Sequence, residues 1–92
     1  MTRKQLMTIL ATGEVAAVPH RDWKALGRDF AESEAHGTGV AGTLRIGRLD
    51  GILVAVEEAD DKRLAVRPLA SLKTAKTFVK ERLEAYDRLW DG

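Results

Sequence analysis

The N-terminal part of the chain carries apolar residues at helical spacing in two stretches. Thr2 and Gln5 have the spacing of a capping box, and the apolar residues that follow predict a first helix over about 3–12. A second helix is predicted over about 20–36. The two helix predictions are based on the spacing of six apolar residues: Leu6, Ile9, Leu10, Trp23, Leu26 and Phe30. The segment EVAAVP between them is predicted to be a connector or a brief edge strand, because Pro19 holds the preceding residue extended.

The period of the pattern changes to two after Gly42. Three short runs rich in Val, Ile and Leu follow, namely TLRIGRL, ILVAVEE and RLAVRPL. They are separated by the turn segments DG and ADDK. This arrangement predicts an antiparallel meander of three strands.

The C-terminal segment has the strongest helical pattern of the chain. Ser71 stands where an N-cap residue is expected, and Gly92 follows the predicted helix end. The apolar stripe of this helix consists of Leu72, Ala75, Phe78, Val79, Leu83, Tyr86, Leu89 and Trp90.

The register of the first hairpin decides which residues share a face of the sheet. A two-residue Asp50-Gly51 loop pairs Leu49 with Ile52 and splits the apolar residues between the two faces. A three-residue loop pairs Arg48 with Ile52 and gathers them on one face, so we predict this second register. The opposite, outer face then holds Thr43, Arg45, Gly47, Leu53, Ala55, Glu57, Arg63, Ala65 and Arg67.

These elements predict one α+β domain over residues 1–92, with the order α-α-β-β-β-α: two N-terminal helices, a three-stranded antiparallel meander and a long C-terminal helix. The C-terminal helix is expected to cover the apolar face of the meander. Its residues Phe78, Val79, Leu83 and Tyr86 should then pack against Val54, Val56 and Val66.

Composition and charge favour a globular protein of the cytoplasm. Hydrophobic residues make up 45% and charged residues 32% of the 92 residues, and the formal charge of +1 gives no overall attraction to nucleic acid or to anionic lipid. The absence of cysteine excludes a disulfide framework, a thiolate zinc site and a cysteine nucleophile. The N-terminal run LMTIL is too short for a signal peptide or a membrane span, so we expect no export and no membrane partner.

A glycine motif is the clearest candidate for cofactor binding. Gly37, Gly39 and Gly42 in GTGVAG satisfy G-x-G-x-x-G. A dinucleotide site needs this motif after a strand and at the start of a helix, whereas here a helix precedes it and a strand follows. The motif is therefore interpreted as a helix stop and a connector, and no cofactor or small-molecule ligand is expected.

Other residues with catalytic or metal-binding chemistry also favour structural interpretations. Glu32 and His36 have the i, i+4 spacing of two metal ligands, but no second pair accompanies them. His20 is interpreted as a surface or helix-start residue, and Asp60 with Asp61 as a turn whose carboxylates bind backbone amides. We predict that the protein is not an enzyme and holds no metal.

The element order of the chain resembles two families of nucleic-acid-binding domains, the first over residues 20–90 and the second over the strands and the last helix. A helix, three antiparallel strands and a helix resemble the double-stranded RNA-binding domain, and SLKTAK is similar to the lysine-rich helix start of that family. The resemblance implies phosphate contacts by Lys73 and Lys76. The strands and last helix also resemble the arm-type DNA-binding domains of phage integrases, which implies an outer sheet face in the major groove. Both resemblances concern topology alone.

Two functions are predicted from these features. The first is a non-catalytic interaction module that binds a protein partner or itself through the end of the C-terminal helix, with Arg82, Tyr86, Leu89 and Trp90 as interface candidates. The alternative is nucleic-acid binding by the outer face of the sheet, with Arg45, Arg63, Arg67, Lys73 and Lys76 as contact candidates.

Overall fold

Three helices and five strands make up the described part of the chain. The computed structural model describes residues 1–32, 44–60 and 62–91, with Glu32 and residues 86–91 described by their backbone alone. In chain order the elements are α1 (Arg3–Ala11), β1 (Ala16–Pro19), α2 (His20–Leu26), β2 (Ala31–Glu32), β3 (Leu44–Leu49), β4 (Ile52–Glu58), β5 (Arg63–Pro68) and α3 (Leu72–Asp91). The strands form one antiparallel sheet in the order β1-β5-β4-β3-β2.

The prediction of a small α+β protein with three helices and an antiparallel sheet is confirmed. The element order α-α-β-β-β-α is wrong, because β1 lies between the first two helices and β2 precedes the meander. EVAAVP thus supplies an edge strand, which pairs with β5, a strand that is distant from it in sequence. The helix–three strands–helix order behind the resemblance to the double-stranded RNA-binding domain is therefore not the order observed, because four strands lie between α2 and α3.

Local signals place the start of α1 where the sequence predicts it. The Thr2 hydroxyl accepts a hydrogen bond from the Gln5 amide at 3.1 Å, and the Gln5 side chain accepts one from the Thr2 amide at 2.8 Å. This reciprocal capping box satisfies two amides that the first turn leaves without helical partners. Leu6 and Leu10 lie on the buried side of the helix.

Helix α2 is much shorter than the predicted 20–36. It ends at Leu26, and the amide of Gly27 donates a hydrogen bond to the Trp23 carbonyl at 2.7 Å. The Trp23 ring occupies the space beside Gly27, where a Cβ would lie 2.6 Å from the nearest ring atom. The chain then turns so that Ala31 and Glu32 pair with β3.

The predicted three-residue hairpin loop is wrong. Leu49 pairs with Ile52, so the β3–β4 turn contains only Asp50 and Gly51. Both have positive φ, 49° and 80°, as a type I′ turn requires. The prediction failed because it assumed that a single face of the sheet is buried.

Both faces of the sheet are in fact covered by helices. The side chains buried between the sheet and helices α1 and α2 form one hydrophobic cluster: Leu6, Leu10, Ala16, Val18, Leu26, Leu49, Val54, Val56, Leu64 and Val66. The face toward α3 belongs to a second cluster of Leu44, Ile46, Leu53, Ala55, Ala75 and Val79. The expected packing of α3 against Val54, Val56 and Val66 is therefore wrong, since these three side chains point to the other helices.

An ion pair joins the start of α1 to the loop after α2 and to the hairpin. Arg3 donates two hydrogen bonds to the Asp29 carboxylate, at 2.7 and 3.0 Å, and a third to the Leu26 carbonyl. Asp29 also accepts the Asp50 amide at 3.0 Å. The Arg3 hydrogen bond is the largest cause that lowers the Asp29 pKa to about 2.

This ion pair gives a testable pH dependence. Because the Asp29 pKa is lower in the folded state than its usual value of 3.8, the carboxylate stabilises the fold above about pH 4 and this contribution is lost as the pH falls toward about 2. Arg3→Gln should reduce the loss of stability on acidification. Urea unfolding at several pH values between 6 and 2.5 measures it, with Lys4→Gln as the control. Equal acid sensitivity of both variants and wild type would contradict the assignment.

Candidate interaction surface on helix α3

The start of α3 is fixed by a side-chain cap. Ser71 Oγ accepts a hydrogen bond from the Thr74 amide at 3.2 Å, which confirms its predicted role at the N-terminus of the helix. From there α3 crosses the sheet with Ala75 and Val79 buried and Phe78 and Leu83 half-buried.

Helix α3 covers only part of its face of the sheet. The buried residues beneath it lie on β3 and β4, whereas the same face of β1 and β5 carries the exposed Ala17 and Arg63 and the half-buried Ala65. The edge of α3 therefore borders an open strip of small side chains with arginines beside it.

Two arginines lie over the ring of Phe78 at this border. The guanidinium carbons of Arg67 and Arg82 are 5.3 and 5.0 Å from the ring centroid, within the range of cation–π attraction. Arg82 Nε is also 3.2 Å from a carboxylate oxygen of Glu57, which offsets part of the repulsion between the two guanidiniums. We call Arg67, Phe78 and Arg82 the Arg–Phe cluster. With Glu81 it lines a recess of about 280 Å³.

Helix α3 continues beyond Arg82 to Asp91. Arg82 meets Glu57, which is followed by Glu58, the last residue of β4. From Arg82 to Asp91 the axis of α3 extends by about 13 Å at 1.5 Å per residue. The candidates Tyr86, Leu89 and Trp90 belong to this extension. Their side chains lie outside the described part of the structure, so their roles stay predictions.

The nucleic-acid candidates do not share one surface. Arg45 is paired with Val56 and lies over the Phe30 ring, on the face toward α1 and α2. Arg63 and Arg67 are on the α3 face, where Arg63 binds the Asp60 carboxylate at 2.8 Å and Arg67 meets Phe78. Lys73 and Lys76 are exposed on α3 itself. Arg45 was expected on the face of Arg63 and Arg67 because the predicted hairpin register was wrong.

A larger recess lies elsewhere. It measures about 710 Å³ and is lined by Pro19, His20, Arg21, Asp60, Lys62 and Arg63. His20 begins α2, as predicted, and its Nε2 is 3.3 Å from a Glu58 carboxylate oxygen. Asp60 accepts the amides of Lys62 and Arg63, which confirms its predicted turn role, and these bonds lower its pKa. None of these six described residues carries a hydroxyl or thiol nucleophile.

The other sequence candidates fall largely outside the described residues. GTGVAG, His36 and Asp61 are not described, and Glu32 is described only as a residue of β2. Within residues 1–32, 44–60 and 62–91 no group of three or more His, Cys, Asp or Glu side chains is arranged to hold a metal ion. None of the helices described there is long and apolar enough to cross a membrane.

Sequence reasoning assigned Arg67 and Arg82 to two different surfaces and therefore missed the Arg–Phe cluster. The available signal was the i, i+4 spacing of Phe78 and Arg82. The position of Arg67 opposite Ala55 depends on the pairing of β4 with β5. No protein-family model, curated protein or solved structure matches the chain.

Proposed function

We propose that this protein is a non-catalytic protein-binding module whose binding element is α3. The observation that carries the proposal is the Arg–Phe cluster, a half-buried aromatic ring under two guanidiniums at the border of an open strip of sheet. Aromatic residues and arginine are enriched at protein interfaces and among the residues that dominate binding energy. Helix α3 continues for nine residues beyond Arg82, and the sequence places Tyr86, Leu89 and Trp90 in this last part of the helix.

Self-association is the form of this proposal that the purified protein can test directly. Trp90→Ala should weaken self-association by about tenfold or more, because truncation of a large aromatic anchor commonly costs at least 2 kcal/mol of binding free energy. Sedimentation velocity over a concentration series measures the effect.

The matched control is Val15→Ala, which trims an exposed apolar side chain remote in sequence from α3. It should self-associate like the wild type. A wild-type protein that stays monomeric, or a Trp90→Ala variant indistinguishable from Val15→Ala, would count against α3 as a self-association element.

A further inference from the structure

One face of α3 carries an ordered stripe of charges. Lys73, Lys76 and Lys80 are exposed, and so is Glu84. Asp87 and Asp91 continue the same three- and four-residue spacing along the helix. At 100° per residue these six positions fall within an arc of about 80°, which is centred away from the buried Ala75 and Val79. We call this set the charge stripe: basic in its N-terminal half and acidic in its C-terminal half.

The order of the charges is unfavourable for an isolated helix. The N-terminus of a helix attracts negative charge and the C-terminus positive charge, yet the first turn of α3 contains no acidic residue. Lys76 and Lys80 are like charges at i, i+4, and so are Asp87 and Asp91, whereas Lys80 and Glu84 form one opposite-charge pair at this spacing. The stability of α3 alone therefore does not explain the charge stripe.

We propose that the charge stripe is the docking surface for the α3 helix of a second copy of this chain, packed antiparallel. In that arrangement residues whose numbers add to 163 or 164 lie opposite each other. Lys73 then faces Asp91, Lys76 faces Asp87 and Lys80 faces Glu84 of the other copy. The two-fold axis passes near position 82, so every contact occurs twice. Each unfavourable charge gains a partner of opposite sign.

Apolar contact is available at the same register. Leu72 is exposed to 45% at the start of α3, beside the charge stripe. Position 72 of one copy lies opposite Trp90 of the other, since 72 and 90 add to 162. The net charge of +1 causes little repulsion between copies. This inference rests on the proposed binding role of α3, but it uses the face of the helix opposite Phe78 and Arg82, and it adds the partner, its orientation and its register.

Charge reversal on each half of the charge stripe tests the pairing. An acidic-stripe variant carries Lys73→Glu, Lys76→Glu and Lys80→Glu, and a basic-stripe variant carries Glu84→Lys, Asp87→Lys and Asp91→Lys. Each variant alone should self-associate at least about tenfold more weakly than the wild type, because attraction at every contact becomes repulsion. An equimolar mixture of the two should form a heterodimer at least as tight as the wild-type dimer, and high salt should weaken it.

The chain offers a matched control for the change in net charge. Its other three lysines, Lys4, Lys24 and Lys62, are exposed and lie off α3. Their combined replacement by glutamate should leave self-association at the wild-type level. Sedimentation velocity gives the masses and affinities, and circular dichroism shows that each variant is folded. Heterodimer formation also requires two folded α3 helices, so it reports folding independently.

The outcomes separate this pairing from the binding role of α3. If the wild type self-associates and Trp90→Ala weakens it, but the stripe variants behave like the lysine control, α3 binds and the antiparallel pairing is overturned. A mixture that forms no heterodimer also overturns the pairing. A wild-type protein that remains monomeric overturns it together with self-association.

Discussion

Replacement of Ile46 by alanine should lower the free energy of unfolding by about 2–5 kcal/mol. Ile46 is fully buried, on the face of β3 that packs against α3. Its truncation removes favourable burial and leaves a cavity that the two rigid layers cannot fill. Because a domain of this size has about 5–15 kcal/mol in total, the loss is a large fraction of its stability. Urea denaturation with an unchanged m-value measures it.

Double-mutant cycles show which side of the sheet Ile46 belongs to. Ile46→Ala and Val79→Ala affect the same cluster, so their effects on stability should be non-additive. Leu6 is fully buried on the opposite face, so Leu6→Ala should add to Ile46→Ala within about 0.5 kcal/mol. Equal coupling of Ile46 with both residues would contradict the assignment of two cores.

The features that could be predicted are those with local signals. Thr2 and Gln5 define the start of α1, Ser71 defines the start of α3, and the period-two runs define β3, β4 and β5. The pairing of β1 with β5 depends on residues far apart in the chain, and no local pattern reports it. The sequence therefore predicts element types better than their arrangement.

The hairpin shows why a correct pattern led to a wrong register. Consecutive residues of β4, from Leu53 to Val56, are all buried, because the sheet has helices on both faces. The interpretation assumed one solvated face, and this assumption outweighed the preference of Asp50-Gly51 for a two-residue turn. The error then moved Arg45 onto the face of Arg63 and Arg67. Arg45 therefore does not share a face with Arg63 and Arg67.

The interface candidates depend less on the register. Helical spacing alone places Arg82 within the apolar arc of α3, between Phe78 and Tyr86, and its guanidinium lies over the Phe78 ring. Arg67 could not be added to it without the correct pairing of β4 with β5. Long side chains at such a position cover apolar surface with their stems and leave the charge available for contact.

Position 47 has no room for a side chain, because β2 and the Phe30 ring occupy the space beside it. A Cβ at this position would collide with the carbonyl oxygen of Ala31 and lie 2.6 Å from the Phe30 ring. Phe30 in turn packs edge-on against Trp23, with ring centroids 5.9 Å apart, and lies beneath Arg45. The aromatic pair and the short strand β2 therefore both depend on Gly47.

Gly47→Ala should therefore lower the free energy of unfolding by about 1–3 kcal/mol, as expected for an overpacked site. Phe30→Ala should not rescue it, because the Ala31 carbonyl belongs to the backbone of β2 and cannot rotate away. Chemical denaturation gives the loss, and near-ultraviolet circular dichroism should show the disturbed Trp23–Phe30 pair. Gly13→Ala is the control: a Cβ there meets no atom within 4 Å, so it adds only the strain of a positive φ of 83° and should leave that spectrum unchanged. Wild-type stability in Gly47→Ala would contradict the pairing of β2 with β3, since only a displaced β2 leaves room for the added methyl group.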